Sequence, residues 1–151
     1  MNQLENPATA IAWKLRDVHH QHMLTIVGIL DKYSLHCGQP RILHTVADMD
    51  GASQREIADK LQISPASLAM SIKRMCKAGL LEKVASETDQ RTNQIRITPK
   101  GMQQNIDCLT ECAQADAKML EGLSQAEIGL LSGLLARIYD NLVQMTVEKD
   151  A

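Results

Sequence analysis

Between Ser53 and Gly79 two helix starts stand so close together that the chain separating them has room only for a tight turn. Ser53-Gln54-Arg55-Glu56 has capping-box spacing: a Ser side chain accepts from the backbone N–H three residues on, and the Glu reaches back. Ile57, Ala58 and Leu61 give this helix one buried face. Ser64-Pro65 reads as an N-cap followed by a proline whose missing N–H costs nothing in a first turn, and Gly79 supplies the stop. The second helix, over 65–78, buries Leu68, Ile72 and Met75. Two short helices joined by so tight a turn are a helix-turn-helix, a unit whose second helix can lie in a DNA major groove.

Beyond Gly79 the helical pattern stops. "LLEKVAS" and "NQIRIT" read as two strand arms, with Ile95 and Ile97 on one face and Gln94, Arg96 and Thr98 on the other. The tip between them, Thr88 to Asn93, holds turn formers and one cation, Arg91. Thr98-Pro99 repeats the cap-then-proline signal and predicts a fifth helix through Met102, Ile106, Leu109, Ala113, Ala117 and Leu120.

The flanks are helical as well. Residues 9–35 set Ile11, Leu15, Val18, Ile26, Leu30 and Tyr33 at helical spacing, and "GQPRILHTVADMDG" predicts a short second helix between Gly38 and the Asp50-Gly51 turn. Ser124 to Glu127 is a second capping box, opening a last helix with Ile128, Leu131, Leu134, Leu135, Ile138, Leu142 and Met145 on its apolar side. Both long terminal helices carry more apolar surface than a solitary surface helix can leave wet. The fold class is therefore mainly α: a winged helix-turn-helix with long N- and C-terminal helices. With no Phe and eight Met, aliphatic and thioether side chains must fill the core.

Charge is divided along the chain. The formal net charge is −2, but residues 52–101 carry nine Lys and Arg against five acids, a net of +4. A cationic middle between acidic ends points to a localised anion-binding surface. A length of 151 residues suits one domain. No stretch approaches the roughly 18 apolar residues of a membrane span, and no leader pattern opens the chain, so a cytoplasmic protein with reduced cysteines is expected. Neither a G-x-S-x-G turn, a phosphate loop nor paired catalytic carboxylates are found, which argues against an enzyme.

On the second helix of the pair, Ala66, Ser67, Met70, Ser71, Arg74 and Lys77 fall opposite the apolar stripe, with Lys73 adding a further cation. Small residues allow close approach, and cations suit phosphates or guanine edges. A basic-tipped hairpin directly after that helix is the winged-helix order, and it holds Arg91 toward an adjacent minor groove, whose negative potential favours an inserted cation. Asp89, two residues away, is placed to orient the guanidinium.

With "SQREIADKLQISPASLAMSIKRMCKAGLLEK" followed by "TDQRTNQIRITPKG", the chain resembles the MarR family of bacterial transcriptional regulators, down to a D-x-R wing motif and the ensuing T-x-x-G. The resemblance runs over the whole chain in order and length. It implies a single domain over 1–151, with a winged helix-turn-helix at 38–100 and dimerisation helices at 9–35 and 101–148. It also implies a homodimer on a pseudo-palindromic double-stranded operator, released when a small-molecule effector occupies a cleft, with no cofactor. By position, Asp89 and Arg91 are the wing pair, and Ser64, Ala66, Ser67, Met70, Ser71 and Arg74 lie on the reading helix. Ala69 and Met70 stand where members of the family often carry Thr and Arg.

The effector cleft is expected where His19, His22 and Met23, the 36–44 segment with His44, and Ile106 converge, since Met and His suit a plastic, partly polar pocket. The rival reading is a metal- or thiol-redox sensor. Cys37, Cys108 and Cys112 lie in these regions, and the last two stand four apart on one helix face. No tight C-x-x-C or H-x-x-H set supports it, so no metal is assigned. A winged helix used purely for protein interaction is the remaining alternative.

Overall fold

In the computed structural model, residues 6–49, 51–85 and 93–147 are described. The described residues form six helices and one two-stranded sheet, in the order α1 (Pro7–Lys32), α2 (Gln39–Asp48), α3 (Gln54–Leu61), α4 (Pro65–Lys77), β1 (Leu81–Ala85), β2 (Asn93–Ile97), α5 (Pro99–Met119) and α6 (Gln125–Val147). The chain divides into two compact units, Met1–Ala115 and Asp116–Ala151.

Helix boundaries obey the cap chemistry. Asn6 caps α1 by accepting from the Ala8 N–H at 2.9 Å, ahead of Pro7. Ser53 and Glu56 form the expected reciprocal box on α3: the Ser53 N–H donates to Glu56 Oε2 at 2.8 Å, and the Glu56 N–H to Ser53 Oγ at 3.3 Å. That carboxyl is held below its ordinary value by the Ser53 hydrogen bonds. Helix α2 starts after Gly38, whose φ of 86° lies in the left-handed region open to glycine.

The core of the first unit gathers one face from each element. Leu43 of α2, Ile57 of α3, Leu68 and Ile72 of α4, Ile95 of β2 and Cys108 of α5 are all fully buried. Burying an aliphatic side chain of this size contributes about 1.5–3 kcal/mol. Helix α1 joins through Ile29 and Leu30 near its C-terminus, and its first turns stay exposed.

The sheet is an antiparallel hairpin pairing Leu81 with Ile97, Lys83 with Ile95 and Ala85 with Asn93. Ile95 points into the core and Arg96 outward, as the alternation predicts. On its other edge β2 takes a second partner, because the Ile95 N–H donates to the Ala52 carbonyl at 2.9 Å and Ser53 bridges Gln94. The residue that caps α3 therefore also borders the wing.

One helix face and one expectation stand out. Helix α5 runs through Met102, Ile106 and Leu109 as predicted, with those three exposed, and the face it buries is Gly101, Asn105 and Cys108. The reason is distance: a Cβ at Gly101 would meet the Leu80 carbonyl oxygen at 2.0 Å, so small and polar residues occupy the closest face. Methionine is not the general core filler. Met75 is buried, whereas Met70, Met102, Met119 and Met145 are exposed.

In the second unit, α6 opens on the predicted capping box. The Ser124 N–H donates to Glu127 Oε2 at 2.8 Å and the Glu127 N–H to Ser124 Oγ at 3.3 Å. Nothing on α6 is buried: Leu130, Leu131, Leu134, Leu135, Leu142 and Val143 are all exposed.

Candidate nucleic-acid interface

Helix α4 is two-faced. Leu68, Ile72 and Met75 are sealed in the core, and the opposite side presents Ala66, Ser67, Met70, Lys73, Arg74 and Lys77 to solvent, with Ser71 half-buried at the margin. Met70 is 57% exposed, an apolar side chain left in water on a face otherwise small, polar or cationic. At its start the Ser64 hydroxyl accepts from the Ser67 N–H at 3.1 Å and donates to Ser67 Oγ at 2.8 Å, so both hydroxyls are held at the helix N-terminus. There the positive end of the helix dipole favours an anion.

The other end of α4 is closed by backbone bonds. Gly79, at φ 72°, lets its N–H reach the Cys76 carbonyl at 3.0 Å while the Leu80 N–H reaches the Met75 carbonyl at 2.9 Å, the two hydrogen bonds of a Schellman stop. Two side chains from beyond the wing complete it. The Thr98 hydroxyl donates to the Gly79 carbonyl at 2.7 Å, and the Lys100 ammonium donates to the Ala78 carbonyl at 2.8 Å.

The wing strands carry Lys83 and Arg96 on exposed positions. The tip pair expected from the sequence, Asp89 and Arg91, lies outside the described residues. The described DNA-facing candidates thus fall on one helix and its two termini.

The proposed effector residues are less coherent. His19 and His44 are exposed, His22 and Met23 are half-buried, and Ile106 is exposed on α5. His44 Nε2 lies 3.6 Å from the Asp48 carboxylate on the same helix. A shallow groove of about 400 Å³ is lined by Lys100, Gln103, Gln104 and Asp107 and includes none of those five.

A network that the sequence does not announce joins α1 to α5. Lys32 pairs with Glu111, the Tyr33 hydroxyl donates to the same carboxylate at 3.1 Å, and Gln104 donates to the Tyr33 carbonyl. The Lys32 hydrogen bond is the main reason the Glu111 carboxyl sits below its ordinary value. Beside this network the side-chain oxygens of Gln104 and Asn105 are buried without a hydrogen-bond partner from the chain. A buried polar atom left so costs about 1–3 kcal/mol. One signal was present: an Asn in a helix interior, where it is a poor helix former, belongs there for a reason other than propensity.

The cysteines are spread over different environments. Cys37 is exposed, Cys76 and Cys112 are half-buried against the core, and Cys108 is fully buried. Burial pushes the Cys108 thiol up to about 11, with Cys112 beside it adding to the shift. A thiol so placed is a poor thiolate and a poor nucleophile. Among the described residues no three His, Cys, Asp or Glu side chains gather as a metal site, and no helix is long and apolar enough to cross a membrane.

This geometry has counterparts. The profile described as MarR family matches residues 34–92. A transcriptional regulatory protein for the hcr operon of Thauera aromatica is 30% identical over 98 residues, which span 65% of this chain and 59% of that protein, so less than two thirds of that relative is covered. The HTH-type transcriptional repressor IacR of Pseudomonas putida is 27% identical over 131 residues, 86% of this chain and 77% of that protein. The MepR–DNA complex of S. aureus superposes with a TM-score of 0.71 at 17% identity, covering 87% of this chain and 98% of the MepR chain, and so shares the fold. Over residues 34–92 the chain thus matches the MarR family model, and its winged helix-turn-helix fold is the one that solved MarR-family structures share.

Proposed function

We propose that the chain is a ligand-responsive repressor that binds a pseudo-palindromic operator as a homodimer, through residues 38–100, and dimerises through the helices at 9–35 and 101–148. The observation that carries this reading is the two-faced α4. A helix whose inner side is sealed and whose outer side bears Ser67, Met70, Arg74 and Lys77 is built to present that outer side to a partner. Its net-positive segment selects an anionic one. A relative named as a repressor and a structural neighbour solved on DNA favour transcriptional repression at a DNA site.

Dimerisation is supported by apolar side chains that a lone subunit leaves in water: Ile11, Trp13, Val18 and Leu24 on α1, and Leu130, Leu134, Leu142 and Met145 on α6. Ligand response is supported by the buried, unpartnered oxygens of Gln104 and Asn105, acceptors that a small molecule bearing N–H or O–H donors would satisfy.

Selection of bound DNA from a random pool tests the whole reading. Recovery of a palindrome with half-sites about one helical turn, roughly 10 bp, apart is the expected result. Failure to enrich any sequence, together with binding that ignores salt, would replace it with a protein-interaction module.

A further inference from the structure

We propose that Lys100 and Thr98 are positioning residues for the reading helix: they fasten the C-terminal end of α4 to the first turn of α5, and Lys100 is not itself a phosphate contact. The inference rests on the DNA-binding reading of α4. A Schellman stop satisfies the carbonyls of Met75 and Cys76 and leaves those of Ala78 and Gly79 exposed at the negative end of the helix dipole. The Lys100 ammonium takes the Ala78 carbonyl at 2.8 Å, a charge-assisted bond. Thr98 Oγ1 takes the Gly79 carbonyl at 2.7 Å and also accepts from the Gly101 N–H at 3.0 Å, so one hydroxyl closes α4 and opens α5.

Two further contacts stiffen the joint. The Thr98 N–H donates to the Leu80 carbonyl at 3.0 Å, and the absent side chain of Gly101 lets α5 sit directly on that same carbonyl. The last turn of α4 carries Arg74 and Lys77, two of the three cations of the reading face. Tilting that turn moves both, so a tie at its end governs where they fall relative to phosphates.

Operator affinity of the full chain, measured across a salt series on DNA recovered from the pool, tests this with Lys100→Met, Lys100→Arg, Thr98→Val and Lys77→Ala. Lys100→Met and Thr98→Val should each weaken binding roughly three- to tenfold with the dependence of log K on log salt unchanged, and Lys100→Arg should restore it. Lys77→Ala should instead reduce the salt slope by about one. The carbonyl carbon resonance of Ala78 should shift in Lys100→Met and not in Lys77→Ala, with or without DNA. Thermal midpoints identify the fraction folded at each measurement.

A salt slope lowered by about one in Lys100→Met would make Lys100 a phosphate contact and overturn the proposal. Unchanged affinity in both Lys100→Met and Thr98→Val would do the same. A wild-type chain that enriches no DNA defeats the DNA-binding reading instead, and the Ala78 resonance still decides whether the tie exists.

Discussion

A β-carbon at Gly101 would lie 2.0 Å from the carbonyl oxygen of Leu80, closer than any real side chain tolerates. The obstacle is backbone and cannot swing aside. Gly101→Ala should therefore destabilise the chain by about 2–4 kcal/mol, seen as a lower urea midpoint, although alanine is ordinarily the better helix former. A midpoint equal to that of the wild type would show that α5 stands off from the wing.

Leu68 and Met70 are two residues apart on α4 and face opposite ways, fully buried against 57% exposed. Leu68→Ala should lose about 2–5 kcal/mol of stability, whereas Met70→Ala should stay within about 0.5 kcal/mol. Met70→Ala should nonetheless change affinity for the selected DNA. Equal stability losses in the two variants would contradict the two-faced helix.

Acid should erase the two capping boxes. Glu56 and Glu127 both titrate below the ordinary value of 4.5, owing to hydrogen bonds from Ser53 and Ser124 respectively. A carboxyl with a depressed folded-state value stabilises the fold above its unfolded value, and that contribution disappears as pH falls through the folded value. The gap in thermal midpoint between wild type and a Ser53→Ala, Ser124→Ala variant should thus be full at pH 7 and shrink steadily below pH 4.5. A gap independent of pH would assign the caps to the serine hydroxyls alone.

At the wing tip, Arg91→Ala should weaken operator binding by about 1–3 kcal/mol if the guanidinium occupies a minor groove, and Asp89→Ala should reproduce part of that loss. Titration by fluorescence anisotropy at physiological salt measures both. Full affinity in Arg91→Ala would remove the wing from the DNA contacts.

Thiol labelling should rank the cysteines by environment. Cys37 is exposed and should react first with iodoacetamide at neutral pH, while Cys108, pushed up to about 11 by burial, should react last. Peroxide should accordingly leave operator affinity intact in wild type and in a Cys37, Cys108, Cys112 triple Ser variant. Peroxide release of DNA that the triple variant lacks would make the cysteines the sensor.

The elements most legible in the sequence were those written in local chemistry. Ser53 with Glu56, Ser64 ahead of Pro65, and Ser124 with Glu127 each announce a helix start through local capping, and the capping bonds, Ser53 with Glu56, Ser64 with the Ser67 N–H and Ser124 with Glu127, are all present. The alternation of Ile95 and Arg96 fixed the wing's inner and outer faces for the same reason. What hydrophobicity alone could not yield was the buried side of α5, because proximity to Leu80 selects Gly101 there and leaves the greasier Ile106 outside. The Lys32, Tyr33 and Glu111 network was equally invisible, joining residues 78 or 79 positions apart through tertiary structure. Of the candidate site, the α4 face came from helical period, whereas the effector residues depended on distances between helices that no local pattern encodes.

The wing's second strand holds the Ala52 carbonyl through Ile95, and Gln94 stands 3.2 Å from where a side chain at Gly51 would begin. At the far end of the same strand, Thr98 grips the end of α4. For anyone wishing to transplant the DNA preference of a relative into this chain, neither α4 nor the hairpin is a separable cassette. A swapped α4 would arrive without its anchor in α5, and a swapped hairpin without its edge partner before α3. The smallest graft that carries its own fastenings runs from Gly51 to Gly101.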